Sequence, residues 1–91
     1  MSILGTLIET LADWSGVPTN QINDLDEEIC VLLARGRGGV CDTILSGLIP
    51  LLKQAFSDRK LGGLRVKDMK SGKLKTIDTL YDYIRTSAKK V

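Results

Sequence analysis

Apolar residues recur every three or four positions in several stretches of the chain, which is the spacing that places side chains on one face of an α-helix. The first stretch follows Ser2, a residue that can cap a helix, and it ends at Ser15-Gly16 just before Pro18. Its apolar positions are Ile3, Leu4, Leu7, Ile8, Leu11 and Trp14. The pattern predicts an amphipathic first helix between Ser2 and Gly16.

A second helix is predicted after Asn23 or Asp24, because either side chain can cap its amino end. The acidic segment 26–28 would then lie in the first turn, where the helix dipole favours negative charge. The apolar side of this helix would be Leu25, Ile29, Leu32 and Leu33. Residues 36–39, Gly-Arg-Gly-Gly, interrupt the pattern, and no Gly-Lys-Ser/Thr of a phosphate-binding loop follows them. We interpret them as a hinge.

A third helix is predicted from about Asp42, which would cap it, to Phe56. Its apolar residues occupy more than one face, which is typical of a central helix. They are Ile44, Leu45, Leu48, Ile49, Leu51 and Leu52. Pro50 would kink or split this helix, because proline removes one backbone hydrogen bond. A break near Ser46-Gly47 would place Pro50 close to a new first turn, where proline is tolerated.

Residues 57–76 fit two structures. The alternation in 64–67, followed by Ser71-Gly72, fits a small hairpin, whereas a packed irregular segment or short helix is the structure we prefer. The last helix is clearer, because Thr76 can cap it and Ile77, Leu80, Tyr81 and Ile84 form an apolar stripe. Together these elements predict a single all-α domain over residues 1–91, a small bundle of four to five helices.

Charge is distributed unevenly, although the net charge is only +2. All 13 Lys and Arg residues follow residue 34, whereas six of the 11 acidic residues precede it. Seven of the basic residues lie in segment 59–75, which contains a single acidic residue. Such asymmetry indicates an acidic partner, an RNA, ion pairing within the chain, or simply a solvated basic loop. One hypothesis is therefore a basic nucleic-acid-binding domain that uses residues 59–75.

Enzymatic activity is not expected, because the chain has no histidine and thus lacks the commonest general base and metal ligand. No stretch reaches the about 20 apolar residues that span a membrane. The amino end also lacks the pattern of a secretory signal. Cys30 and Cys41 could pair, but a cytoplasmic location favours reduced thiols. We expect a cytoplasmic monomer.

Two stretches resemble the acyl carrier protein family, which includes the peptidyl carrier proteins. Segment 7–22, in which Gly16-Val17 is followed five residues later by Ile22, is similar to the family's first helix and its exit. Segment 74–84, in which Thr76 precedes a helix ending in Asp-Tyr-Ile, is similar to the family's final helix. The resemblance implies a four-helix bundle that presents a serine at the start of its second helix. A phosphopantetheine arm attached there carries acyl or aminoacyl groups as thioesters between enzymes.

The chain departs from this family at the attachment position. Residues 39–42 and the helix that ends at Phe56 occupy the place of the attachment loop and the second helix. Asp42 therefore stands where the family has its serine, and a carboxylate cannot accept the arm as the usual phosphodiester. Ile44, Leu48, Leu52, Leu80 and Ile84 would line any apolar interior that receives a chain.

Three hypotheses follow from this departure. Cys41 would carry an acyl group on its own thiol, since helix amino ends stabilise thiolates; alternatively, it is a small buried hydrophobe. Ser46 would be the attachment site in a shifted register, or an ordinary helical serine. In the third hypothesis no arm is attached, and the domain acts by docking.

We predict an atypical acyl or peptidyl carrier-like protein that docks with biosynthetic enzymes such as acyltransferases or synthetases. In this protein Asp42 would act mainly as a helix cap. If a group is carried covalently, Cys41 is the first candidate and Ser46 the second. The alternative is a non-enzymatic adaptor or inhibitory interaction module without any prosthetic group. A nucleic-acid-binding domain is the further alternative.

Overall fold

The computed structural model describes residues 2–89 and is all-α, with no strand in that range. Its five α-helices confirm the predicted fold class of a small helical bundle. They are α1 Ile3–Ser15, α2 Ile29–Gly36, α3 Cys41–Ala55, α4 Val66–Lys70 and α5 Ile77–Thr86. A single 3₁₀ turn, Thr19–Gln21, lies between α1 and α2. The short helix α4 confirms the interpretation we preferred for segment 57–76 over a hairpin.

The apolar stripes of all five helices meet in one core. Helix α1 packs on α2, α3 and α5, and α3 also packs on α2 and α4, so α3 is central as its sequence predicted. Each fully buried aliphatic side chain stabilises the fold by about 1.5–3 kcal/mol relative to its exposed state. The side chains that are fully buried are Leu7, Leu11, Ile29, Leu32, Leu33, Leu45, Leu48, Leu52, Met69, Ile77, Leu80 and Ile84.

Local capping determines both ends of α1 and the start of α5, as predicted. The Ser2 hydroxyl accepts a hydrogen bond from the Gly5 amide at 2.9 Å. Gly16 ends α1 in the left-handed conformation, with a φ of 82°, which glycine adopts without strain. At α5, the Thr76 hydroxyl accepts from the Thr79 amide at 3.1 Å. These contacts lie within a few residues of each other, so the sequence pattern alone identifies them.

Helix α2 begins at Ile29, and the predicted start after Asn23 or Asp24 is wrong. The Asp24 carboxylate accepts from the Asp26 amide at 3.0 Å and so forms a turn rather than a helix cap. Asp26 and Glu27 continue this turn, and only Glu28 of the acidic segment pairs with the chain before α5, opposite Thr76. There the Ile29 amide donates to the Lys75 carbonyl at 2.9 Å. Hydrogen bonds to a distant segment thus replace the first helical turn that the capping residues and acidic side chains of residues 23–28 predicted.

Helix α3 begins one residue before its predicted start, and Asp42 is not its cap. Val40 occupies the cap position and makes no side-chain capping bond, while Asp42 lies in the first turn. The helix continues to Ala55 without the predicted break near Ser46-Gly47. Pro50 deprives the Ser46 carbonyl of its helical donor. Both residues are exposed, so water can satisfy that carbonyl and the helix need not split.

A glycine in the middle of α3 allows α1 to approach closely. A Cβ atom added at Gly47 would overlap Cζ2 of Trp14. The indole Nε1 of Trp14 also donates a hydrogen bond to the Ile44 carbonyl at 2.9 Å. The Trp14 ring therefore lies against a part of α3 that has no room for a side chain.

We expect Gly47→Ala to lower the free energy of unfolding by about 1–3 kcal/mol, because the methyl group overpacks against Trp14. This loss should exceed the gain of about 1 kcal/mol in helix propensity that alanine brings. Urea denaturation followed by circular dichroism measures the change. Gly62→Ala is the matched control, since a Cβ there meets no atom within 4 Å. Equal stability of Gly47→Ala and the native chain would contradict this packing.

Candidate functional site

The three predicted site residues, Cys41, Asp42 and Ser46, all lie in the amino-terminal half of α3. We call residues 38–43 the α3 tip. Within it Val40 is 68% exposed, and Asp42 and the neighbouring Thr43 are also exposed. The tip therefore faces solvent and is not enclosed by the rest of the described chain.

The turn from α2 into the α3 tip depends on two glycines. Gly38 and Gly39 have φ angles of 74° and 98°, which side-chain-bearing residues rarely adopt. A Cβ atom at either position would meet no other atom within 4 Å. Glycine is therefore needed there for its backbone conformation and not for lack of space. This supports the structural role that the sequence analysis assigned to the glycine-rich segment.

Cys41 forms a disulfide with Cys30 of α2, so the expectation of two reduced thiols is corrected by the structure. The Cα atoms of the two residues are 5.6 Å apart, a usual separation for a disulfide. Both residues are half-buried and pack against the core. While the bond is intact, Cys41 has no thiol that an acyl group could modify. Direct thioester formation would require prior reduction.

Asp42 and Ser46 are four residues apart on α3, so they lie on the same side of the helix. The Asp42 carboxylate pairs with Nζ of Lys70 on α4 at 3.0 Å. Ser46 is exposed one turn further into the helix. The bond from Cys41 is made to α2 instead. The structure thus places Asp42 and Ser46 on one side of α3, whereas Cys41 is bonded to Cys30 of α2.

A cleft of about 370 Å³ lies beside the α3 tip. Arg37 lies over the Trp14 ring, 3.8 Å from its centroid, and donates to the Trp14 carbonyl at 3.3 Å. This cation–π contact fixes the guanidinium at the edge of the cleft. The sequence does not indicate this pair, because the two residues are 23 positions apart and no motif connects them. The lining residues are Trp14, Arg37, Gly38, Gly39, Val40, Thr43, Ile44 and Gly47.

The basic segment 59–75 is partly used inside the fold. Arg59 donates to three carbonyls at the end of α5, at 3.1–3.3 Å. Lys70 pairs with Asp42, and Lys75 pairs with Glu28 at 3.1 Å. Binding of RNA stays a prediction that depends on the remaining basic side chains. The exposed ones without an ion pair to any residue in 2–89 are Lys60, Arg65, Lys67 and Lys73.

Comparisons of the chain with protein-family models, with curated proteins and with solved structures gave no match. Among residues 2–89, no helix combines the length and apolar character needed to cross a membrane. The chemistry and geometry of the site therefore carry the functional argument. The α3 tip contains two of the three predicted site residues, Cys41 and Asp42, and Ser46 follows one turn later.

We expect the Cys30–Cys41 bond to stabilise the protein by about 3 kcal/mol, because it closes a short loop in the unfolded chain. The double variant Cys30→Ala/Cys41→Ala should therefore unfold at a lower urea concentration than the oxidised protein. A dithiol reductant should lower the stability of the native chain and leave the double variant unchanged. Identical denaturation curves for the native chain with and without the reductant would contradict this expectation.

Proposed function

We propose that this chain is an atypical carrier-like domain that docks with biosynthetic enzymes through the α3 tip and works without a phosphopantetheine arm. The observation that carries the proposal is the exposure of the tip, where Val40 is 68% exposed beside an open helix start. The core of a protein interface is depleted in charged residues, so an exposed apolar side chain such as Val40 suits that position.

The position of α3 supports this role. It is the longest helix, with 15 residues, and it packs on α1, α2 and α4. A partner that binds the α3 tip therefore contacts a helix held by the core. Resemblance to the carrier family points to the same end of the corresponding helix, which is where that family presents its cargo to enzymes.

The side chains at the tip favour non-covalent binding of a partner over covalent attachment of an arm or an acyl group. Asp42 stands at the family's serine position, and its carboxylate pairs with Lys70. Cys41 is held in the disulfide. Ser46 keeps a free position on the surface, but it lies one turn into the helix, on the side rather than at the tip. A docking domain needs none of these groups to react.

Two exposed valines indicate the apolar part of the docking surface. Val31 is 51% exposed and Val40 is 68% exposed, and each is next in sequence to a cysteine of the disulfide. Both valines therefore belong to the end of the molecule where α2 and α3 begin. Arg37 adds a positive charge at the adjoining cleft. A partner of matching chemistry offers a small apolar pocket with an acidic rim.

The substitution Asp42→Ser tests the proposal by a gain of activity. If the α3 tip retains the recognition surface of a carrier protein, a phosphopantetheinyl transferase with coenzyme A should modify this variant. The intact mass should increase by one phosphopantetheine group, while the native chain stays unmodified. Thr43→Ser is the matched control, because it presents the primary hydroxyl of a serine one residue further along the same exposed turn, and it should stay unmodified.

The added substitution Val40→Asp should reduce modification of Asp42→Ser by about tenfold or more, since it places a charge in the apolar contact. Circular dichroism establishes that the variants are folded. Failure of Asp42→Ser to react, while a conventional carrier protein reacts in the same mixture, would refute carrier-like docking. An adduct on Ser46 of native protein from its host would refute the arm-free mode.

A further inference from the structure

The disulfide joins a firmly anchored helix start to a weakly anchored one. The start of α2 is held by backbone hydrogen bonds from Ile29 to the Lys75 carbonyl at 2.9 Å and from Ile77 to the Glu27 carbonyl at 3.1 Å. Ile29 is also fully buried. None of these contacts involves a sulfur atom, so they do not depend on the disulfide.

The start of α3 has fewer contacts of this kind. Val40 provides no side-chain cap, and the preceding Gly38-Gly39 turn is made of residues with high backbone freedom. The ion pair between Asp42 and Lys70 is exposed, with side-chain exposures of 59% and 52%, and such pairs are screened by solvent. Apart from the backbone, the α3 tip is therefore held mainly by the disulfide bond from Cys41 to Cys30.

We propose that the Cys30–Cys41 disulfide is a reversible thiol switch that orders the α3 tip when oxidised and releases it when reduced by a dithiol. The inference deepens the proposed function, on which it rests, by adding control over docking. Both cysteines are half-buried at helix starts, Cys30 as the second residue of α2 and Cys41 as the first of α3. The positive ends of both helices favour a departing thiolate there.

The exchange proceeds in two balanced steps. A thiolate of the dithiol attacks one cysteine sulfur, which breaks the bond between Cys30 and Cys41 and forms a mixed disulfide. The released cysteine leaves as a thiolate and takes up a proton. The second thiol of the reductant, as a thiolate, then attacks the reductant's own sulfur in the mixed disulfide, so the reductant leaves as a disulfide. The second cysteine leaves as a thiolate and takes up a proton. The same steps in reverse, with the disulfide form of the dithiol as the oxidant, restore the bond between Cys30 and Cys41. The chain gains two electrons and two protons and holds two thiols.

Hydrogen exchange of the full chain, read by mass spectrometry, tests the structural part. The first amides of α3 have no helical acceptor, so the readout is the first hydrogen-bonded turn behind the tip, residues 44–47. On reduction with dithiothreitol, these amides should exchange about tenfold faster, while those in segment 29–36 should change by less than about twofold. The double variant Cys30→Ala/Cys41→Ala should exchange like the reduced protein with or without the reductant. Equal acceleration in both segments, or none in residues 44–47, would overturn the proposal. So would a disulfide that the dithiol reduces only after the chain unfolds.

The modification assay with Asp42→Ser tests the functional part. The oxidised variant should be modified about fivefold faster or more than the reduced one, because the transferase then meets an ordered tip. Equal rates in the two states would overturn control of docking, even if hydrogen exchange shows a looser tip. Absence of modification in both states would overturn the proposed function instead, and hydrogen exchange would still decide whether the disulfide orders the tip.

Discussion

Backbone pairing between segments 25–29 and 75–78 links the two ends of the fold. Three amides donate across it, from Ile29 to Lys75, from Ile77 to Glu27 and from Asp78 to Leu25. This pairing sets the position at which α2 begins and brings it beside the start of α5. The disulfide then extends the same restraint from α2 to α3. The α3 tip is therefore positioned through a series of contacts that begins at residues 75–78, more than 30 residues beyond the tip in sequence.

A second constraint sets how α3 lies against α1. Gly47 leaves room for the Trp14 ring, and the indole in turn bonds to the Ile44 carbonyl. Arg37 covers the ring from the side of the glycine turn. Because these contacts share one aromatic ring, the packing of the core and the shape of the cleft beside the tip cannot vary independently.

The sequence predicts the parts of this structure that depend on near neighbours. The caps at Ser2 and Thr76 and the stop at Gly16 are local, and the apolar stripes depend only on helical spacing. The start of α2 was predicted wrongly, because its amides bond to a segment far along the chain. Pairing of Cys30 with Cys41 was considered, but reduced thiols were preferred, since a separation of 11 residues does not reveal that a turn places two helix starts side by side. Charge pairing between the acidic first third and the basic remainder was one of four alternatives, and Glu28–Lys75 is an instance of it.

The compartment in which the protein works would decide how the disulfide acts. The cytoplasmic location is a prediction, and thiol reductants there make most disulfides transient. In that setting the bond between α2 and α3 would open and close, and the order of the α3 tip would follow the redox state. In an oxidising compartment the bond would persist, and Val40 would be presented in a fixed position at all times. Since the anchors of α2 at Lys75 and Glu27 are backbone hydrogen bonds, the bundle keeps them in either case, and only the tip is subject to this control.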